Sequence, residues 1–120
     1  MDLYREEVMD HYENPRNVGE IASPDLQGRD SNASCGDMVQ FQLTVQDGVI
    51  KEAKWKGIGC AITTAAASKL SVWLVNKKID DVKNKSEEEL TRIAIGFEVN
   101  PGRVKCLTLP VRVIRRLWES

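Results

Sequence analysis

Between Met38 and Gly57 the chain carries its strongest constraint on architecture. Val39, Phe41, Leu43 and Val45 alternate with Gln40, Gln42, Thr44 and Gln46. A period of two puts the apolar set on one face of a pleated strand and the polar set on the other. Asp47-Gly48 follows, a pair suited to a two-residue turn with both backbones at positive φ. The return strand, Val49 to Gly57, contains Ile50, Ala53 and Trp55, and Gly57-Ile58-Gly59-Cys60 then breaks the sheet. A hairpin with one apolar face needs a cover, so the rest of the chain has to supply one.

The remaining segments have the helical period. Residues 2 to about 12 place Leu3, Val8 and Tyr12 on one stripe, and Asn14-Pro15 through Gly19 ends that helix. Residues 20–34, with Pro24, Gly28 and Asn32, read as loop with at most one short strand. Ala61 to about Lys77 is an Ala-rich helix presenting Ile62, Ala65, Ala66, Leu70, Trp73 and Leu74. A short helix starts near Asp80–Val82. Ser86 and Glu89 form a capping box that opens another helix, ended by Gly96. Residues 99–103 are loop, and a last helix carries Val111, Ile114, Leu117 and Trp118. Pro110 is tolerable if that helix is capped at Thr108 and kinks it otherwise. The fold class is therefore α+β: a small antiparallel sheet packed against several helices, in a single domain over residues 1–120.

Composition narrows the function. At 120 residues and 42% hydrophobic, the chain supports a core without disulfides. Its 17 basic and 18 acidic residues nearly cancel and aromatics are few, which argues against nucleic acid as a partner. No apolar run is long enough to span a membrane, and the acidic start lacks the apolar stretch of a secretory signal, so a cytoplasmic protein is expected. Charge is uneven: residues 1–30 hold eight acids and three bases, whereas 101–120 hold five bases against Glu119. The basic end is either a docking face for a protein partner or an ordinary solvated face.

The three cysteines sit at expected element boundaries. Cys35 lies in Cys35-Gly36-Asp37 before the first clear strand, Cys60 follows Gly59 and begins the Ala-rich helix, and Cys106 precedes the last helix. A thiol at a helix N-terminus meets the positive end of the helix dipole, which favours thiolate, the form that binds soft metals. The adjacent glycines let backbone approach a metal closely. Asp37 adds an oxygen ligand, so the set suits zinc or one side of a small iron–sulfur cluster. Spacings of 25 and 46 residues match no paired Cys-x-x-Cys knuckle, and three buried core thiols remain the alternative. His11, the single histidine, reads as a surface or structural residue on the first helix.

The segment Asp10-His11-Tyr12-Glu13-Asn14-Pro15-Arg16-Asn17 is similar to the N-terminal signature of the IscU-type iron–sulfur scaffold family, the NifU N-terminal domain. Cys35-Gly36-Asp37, Gly59-Cys60 before a small-residue helix, and Lys105-Cys106 follow that family's order. The resemblance covers nearly the whole chain. It implies a three-stranded sheet within the α+β fold, and a scaffold rather than an enzyme. Such a scaffold receives sulfur from a cysteine desulfurase, assembles a 2Fe–2S cluster and passes it to acceptor proteins. It further implies Cys35, Cys60 and Cys106 as ligands, Asp37 at the same site keeping the cluster labile, and Cys106 as the persulfide acceptor. Zn2+ could occupy the same ligands.

Two positions depart from the family. Lys105 stands where IscU proteins usually carry histidine; an ammonium cannot ligate while protonated, but it can pair with Asp37 or attract anionic sulfur. Val99-Asn100-Pro101-Gly102-Arg103 replaces the Leu-Pro-Pro-Val-Lys segment gripped by a specialised Hsp70, so that chaperone is not an expected partner. Arg103-Val104-Lys105-Cys106 looks more like SufU, a zinc-dependent sulfurtransferase that accepts persulfide. The SufU insertion of about twenty residues between the second and third cysteines is absent from this chain. The alternative function is therefore SufU-like sulfur transfer, and both a monomer and a homodimer are compatible with either reading.

Overall fold

The computed structural model describes the chain apart from residues 1–2, 33–35, 96–103 and 119–120, and describes backbone alone at 3–5, 95 and 104–107. The elements run α1 (Leu3–Glu13), β1 (Leu26–Asn32), β2 (Asp37–Gln46), β3 (Val49–Ile58), α2 (Ala61–Leu74), α3 (Ile79–Lys83), α4 (Glu87–Ile95) and α5 (Val104–Arg116). The three strands form one antiparallel sheet in the order β1-β2-β3.

The β2–β3 hairpin follows its sequence pattern. Asp47 and Gly48 take φ of 54° and 76°, and Phe41 pairs with Trp55 and Leu43 with Ala53. Val39, Phe41 and Leu43 are fully buried. β1 is the strand that periodicity hides, because Leu26 is the one large apolar residue in Leu-Gln-Gly-Arg-Asp-Ser-Asn. It is nevertheless seven residues long and pairs with β2 from Leu26↔Leu43 to Asn32↔Asp37. Gly28 matters here: a Cβ would come within 3.0 Å of the Val113 carbonyl oxygen, so its absence lets α5 lie close on the strand.

α2 is the central helix, packed against α1, α4, α5 and β3. Ala65, Ala66 and Ala67 are fully buried, and such small side chains allow this crowding. The helix ends at Leu74, earlier than its apolar pattern suggests. Val75 turns extended and Asn76 takes φ of 71°. The backbone then exchanges hydrogen bonds with β3, Asn76 N–H donating to the Ile50 carbonyl at 2.8 Å and Ile50 N–H to the Lys77 carbonyl at 2.9 Å. At the other end of β3, Trp55 N–H donates to the Asn17 carbonyl at 3.0 Å and Gly19 N–H to the Trp55 carbonyl at 2.9 Å.

α4 opens as its capping box requires, with Glu89 N–H donating to Ser86 Oγ at 3.2 Å and Ser86 N–H to Glu89 Oε1 at 3.3 Å. α5 departs from expectation. It begins at Val104 rather than near Thr108, so Cys106 lies in its first turn and Pro110 lies inside the helix. The proline nitrogen has no hydrogen to give the carbonyl four residues earlier, that of Cys106. Burial of Leu109, Val111, Val113, Ile114 and Leu117 against the sheet and α2 holds the helix together across that gap. The expected ends at Gly96 and residues 99–103 lie outside the described residues.

The uneven charge is partly resolved within the molecule. Arg112 and Arg116 approach Asp30 Oδ2 on β1 at 3.3 and 3.2 Å, and Arg115 lies 4.0 Å from Glu87. Burial pushes the Asp30 carboxyl up, but the Ser31 N–H and the two guanidiniums outweigh it and hold it below the usual carboxylate range. A basic docking face over residues 103–116 is therefore reduced by internal pairing at its three described arginines.

Candidate metal centre at the end of the sheet

Asp37 opens β2 and Cys60 precedes α2, and the antiparallel hairpin brings these two positions to one end of the sheet. Local backbone places each residue. Gly36 adopts φ of 72° and donates its N–H to the Asn32 carbonyl at 2.9 Å, turning the chain into β2. Gly57 pairs with Val39, and a Cβ there would lie 2.4 Å from the Met38 carbonyl oxygen, a separation that only glycine permits. Cys60 occupies the N-cap of α2 with φ −72° and ψ 174°, and its carbonyl accepts the first helical bond from Thr64 N–H at 3.0 Å.

Thr63 joins the two. Its hydroxyl donates to Asp37 Oδ2 at 3.4 Å and lies 3.5 Å from Cys60 Sγ. Asp37 is buried at 7% exposure and Thr63 at 1%, while Cys60 is half-buried. A carboxylate this deep needs a donor, and the threonine supplies one. Gly59 completes the packing, since a Cβ would press on Thr63 Cγ2 at 2.8 Å. Ile58, at 71% exposure, is a large apolar side chain facing solvent beside the cysteine.

Of the expected ligands, Asp37 and Cys60 thus meet through one hydroxyl. Cys35 lies outside the described residues; Cys106 and Lys105 are placed by backbone in the first turn of α5. Among the described residues no three potential metal-binding side chains converge, so the described half of the site is a thiol, a carboxylate and the threonine between them. Sequence reasoning passed over Thr63. The available signal was a hydroxyl three residues beyond the cysteine, one helical turn onward on the same face.

The octapeptide at residues 10–17 has a structural task. His11 is buried on α1, with Nδ1 2.6 Å from Ser68 Oγ on α2. The same oxygen accepts the Arg16 N–H at 2.9 Å. Trp55 Nε1 donates to the Arg16 carbonyl at 2.8 Å, and Asn17 Nδ2 to Ser71 Oγ at 3.1 Å. Asn17 itself takes φ of 61°, a conformation asparagine tolerates better than most residues. Arg16 also reaches Asp10 Oδ2 at 2.5 Å. Burial, reinforced by the Arg16 and Lys69 cations, pushes the His11 imidazolium down against the smaller upward pull of Glu7 and Asp10. His11 is structural, fastening α1 to α2 away from the cysteine.

The chain is similar over most of its length to proteins of one kind. It is 36% identical to the iron-sulfur cluster assembly scaffold protein IscU of Haemophilus influenzae, with 93% of this chain and 90% of that protein covered. The Escherichia coli K12 protein of the same name is 35% identical, with 93% and 88% covered. In three dimensions it resembles the N-terminal NifU-like protein of Brucella abortus, at TM-score 0.76 and 15% identity over 96% of this chain and 91% of that one. It also resembles FiSufU, from the SUF system of Fervidobacterium islandicum, at TM-score 0.71 and 22% identity with 93% of each covered. At those identities the structural likenesses show the fold alone. Residues 3–116 match the NifU-like N terminal domain, and the chain belongs to that family.

Proposed function

We propose that this protein is a scaffold on which an iron–sulfur cluster is built and from which it is handed on, with no catalytic turnover of its own. The reading is carried by the meeting of Asp37 and Cys60 at the sheet end, in a chain whose relatives at about 35% identity bear the scaffold name. The cluster is cargo, of the 2Fe–2S type, held by Cys35, Cys60 and Cys106 with Asp37. The thiol of Cys60 stands at the positive end of α2, which favours thiolate. Asp37 is a hard oxygen donor among soft thiolates, and a harder ligand holds such cargo less firmly. Cys106 accepts sulfur from a cysteine desulfurase, with Lys105 drawing in the anionic species, and acceptor proteins collect the product. Zn2+ competes for the same ligands. The work is done in the cytoplasm, consistent with the lack of any described helix long and apolar enough to cross a membrane.

The test is anaerobic reconstitution with a desulfurase, iron and cysteine. Stoichiometric iron and sulfide with charge-transfer absorption supports the scaffold, and Asp37→Ala should then hold the cluster longer and transfer it more slowly. Failure to hold any cluster, together with zinc-dependent acceleration of the desulfurase, would replace the scaffold with a SufU-like sulfurtransferase.

A further inference from the structure

Thr63 is buried in the first turn of α2 with its hydroxyl between Asp37 Oδ2 at 3.4 Å and Cys60 Sγ at 3.5 Å. A hydroxyl has one proton and two lone pairs. While Cys60 keeps its proton, the three groups form a chain in which the thiol donates to Thr63 and Thr63 donates to Asp37. A metal-bound sulfur has no proton to give and can only accept. From that moment carboxylate and thiolate compete for the one hydroxyl proton. We infer that Thr63 is a positioning residue for cluster release, its single hydroxyl proton weakening Cys60 as a ligand to iron when it bonds the sulfur. The inference rests on the scaffold reading above.

The chemistry is that of hydrogen bonds to ligand atoms. Donation to a metal-bound thiolate draws electron density from sulfur and shifts the optical and redox properties of the cluster. The rest of the surroundings fixes the hydroxyl in place. Thr63 is 1% exposed, any side chain at Gly59 would press on it, and the helix backbone holds its Cα one turn above Cys60.

Thr63→Val keeps the shape and removes the proton; Thr63→Ser keeps the proton and removes the methyl. After reconstitution, Thr63→Val is expected to retain its cluster roughly threefold to tenfold longer against a chelator, the scale of one ordinary hydrogen bond. Its thiolate-to-iron absorption should shift to longer wavelength, and transfer to an apo-ferredoxin should slow by a similar factor. Thr63→Ser should return to within about twofold of wild type in all three readouts. A merely structural threonine gives the opposite sign, since loosened packing shortens retention. Should Thr63→Val fail to fold, Thr63→Ala is read the same way. Retention in Thr63→Val equal to or shorter than wild type overturns the inference, as does a Thr63→Ser variant that behaves like Thr63→Val. If the wild-type chain itself assembles no cluster, the scaffold reading fails first and this one with it.

Discussion

Ser68→Ala isolates the fastening between α1 and α2. Ser68 is fully buried, and its oxygen serves two partners, His11 Nδ1 at 2.6 Å and the Arg16 N–H at 2.9 Å. Because burial and the nearby cations favour neutral imidazole, the serine proton is assigned to Nδ1 while a serine lone pair receives the Arg16 N–H. Alanine removes both bonds at once. Each buried group left unpaired costs about 1–3 kcal/mol. Arg16 is only partly buried, so its share lies at the low end and the total is about 2–4 kcal/mol. Against a typical domain stability of about 5–15 kcal/mol that is a large fraction. For a domain of this size it corresponds to a fall in melting temperature on the order of 10 °C. Urea denaturation followed by far-UV circular dichroism gives the number directly. The same measurement on His11→Ala and on the double variant completes a cycle, and shared bonding requires the two losses to be less than additive. A loss under about 0.5 kcal/mol for Ser68→Ala, or strict additivity in the cycle, refutes the reasoning.

The remaining expectations concern charge and packing. His11 has its folded-state value held below the ordinary 6.5, so below that pH the unfolded chain takes up a proton that the folded chain refuses. Stability should therefore fall as pH drops through that region, level off once the native ring also protonates, and show a flatter slope in His11→Gln; a wild-type stability that rises on acidification contradicts this. Asp30 is the reverse case, with its folded-state value depressed, so its contribution is present above about pH 4 and lost on further acidification. Asp30→Asn should lower the melting temperature at pH 7 and narrow its gap to wild type at pH 3, with high salt narrowing it as well. Gly57→Ala places a methyl 2.4 Å from the Met38 carbonyl, and should cost about 1–3 kcal/mol while shifting the start of β2, read as loss of metal uptake out of proportion to loss of stability. Gly48→Ala meets no neighbouring atom and serves as the strain-only control, since its φ of 76° is the sole obstacle.

What the sequence disclosed follows from which interactions are local. The β2–β3 hairpin, the Ser86 capping box and α2 each depend on residues near one another in the chain, and each was legible. β1 was not, because its place is set by pairing with β2 and by α5 lying on Gly28, and its own residues alternate in exposure without alternating in hydropathy. The end of α2 was overrun because Asn76 and Lys77 find backbone partners at Ile50, about 26 residues away in the chain. α5 begins two turns ahead of Pro110 because burial of its apolar face outweighs one missing hydrogen bond. At the site, Asp37 and Cys60 could be named from their neighbours, whereas Thr63 could not: its significance exists only once β2 and α2 are side by side. The arginines of α5 read as a free basic face until the fold set Asp30 beneath two of them.

The two margins of the sheet differ. Along β3, segments around Asn17–Gly19 and Asn76–Lys78 occupy the outward backbone groups at both ends of the strand. Along β1 the backbone pairs with β2 from Leu26 to Asn32, and the strand carries the polar Gln27, Arg29 and Asp30. Where segments of the same chain cover a strand's end, that stretch is closed to a further strand. If two copies joined β1 to β1, both remaining margins would be β3, and growth would stop at two. Association of that kind would close as a pair rather than grow as a fibre.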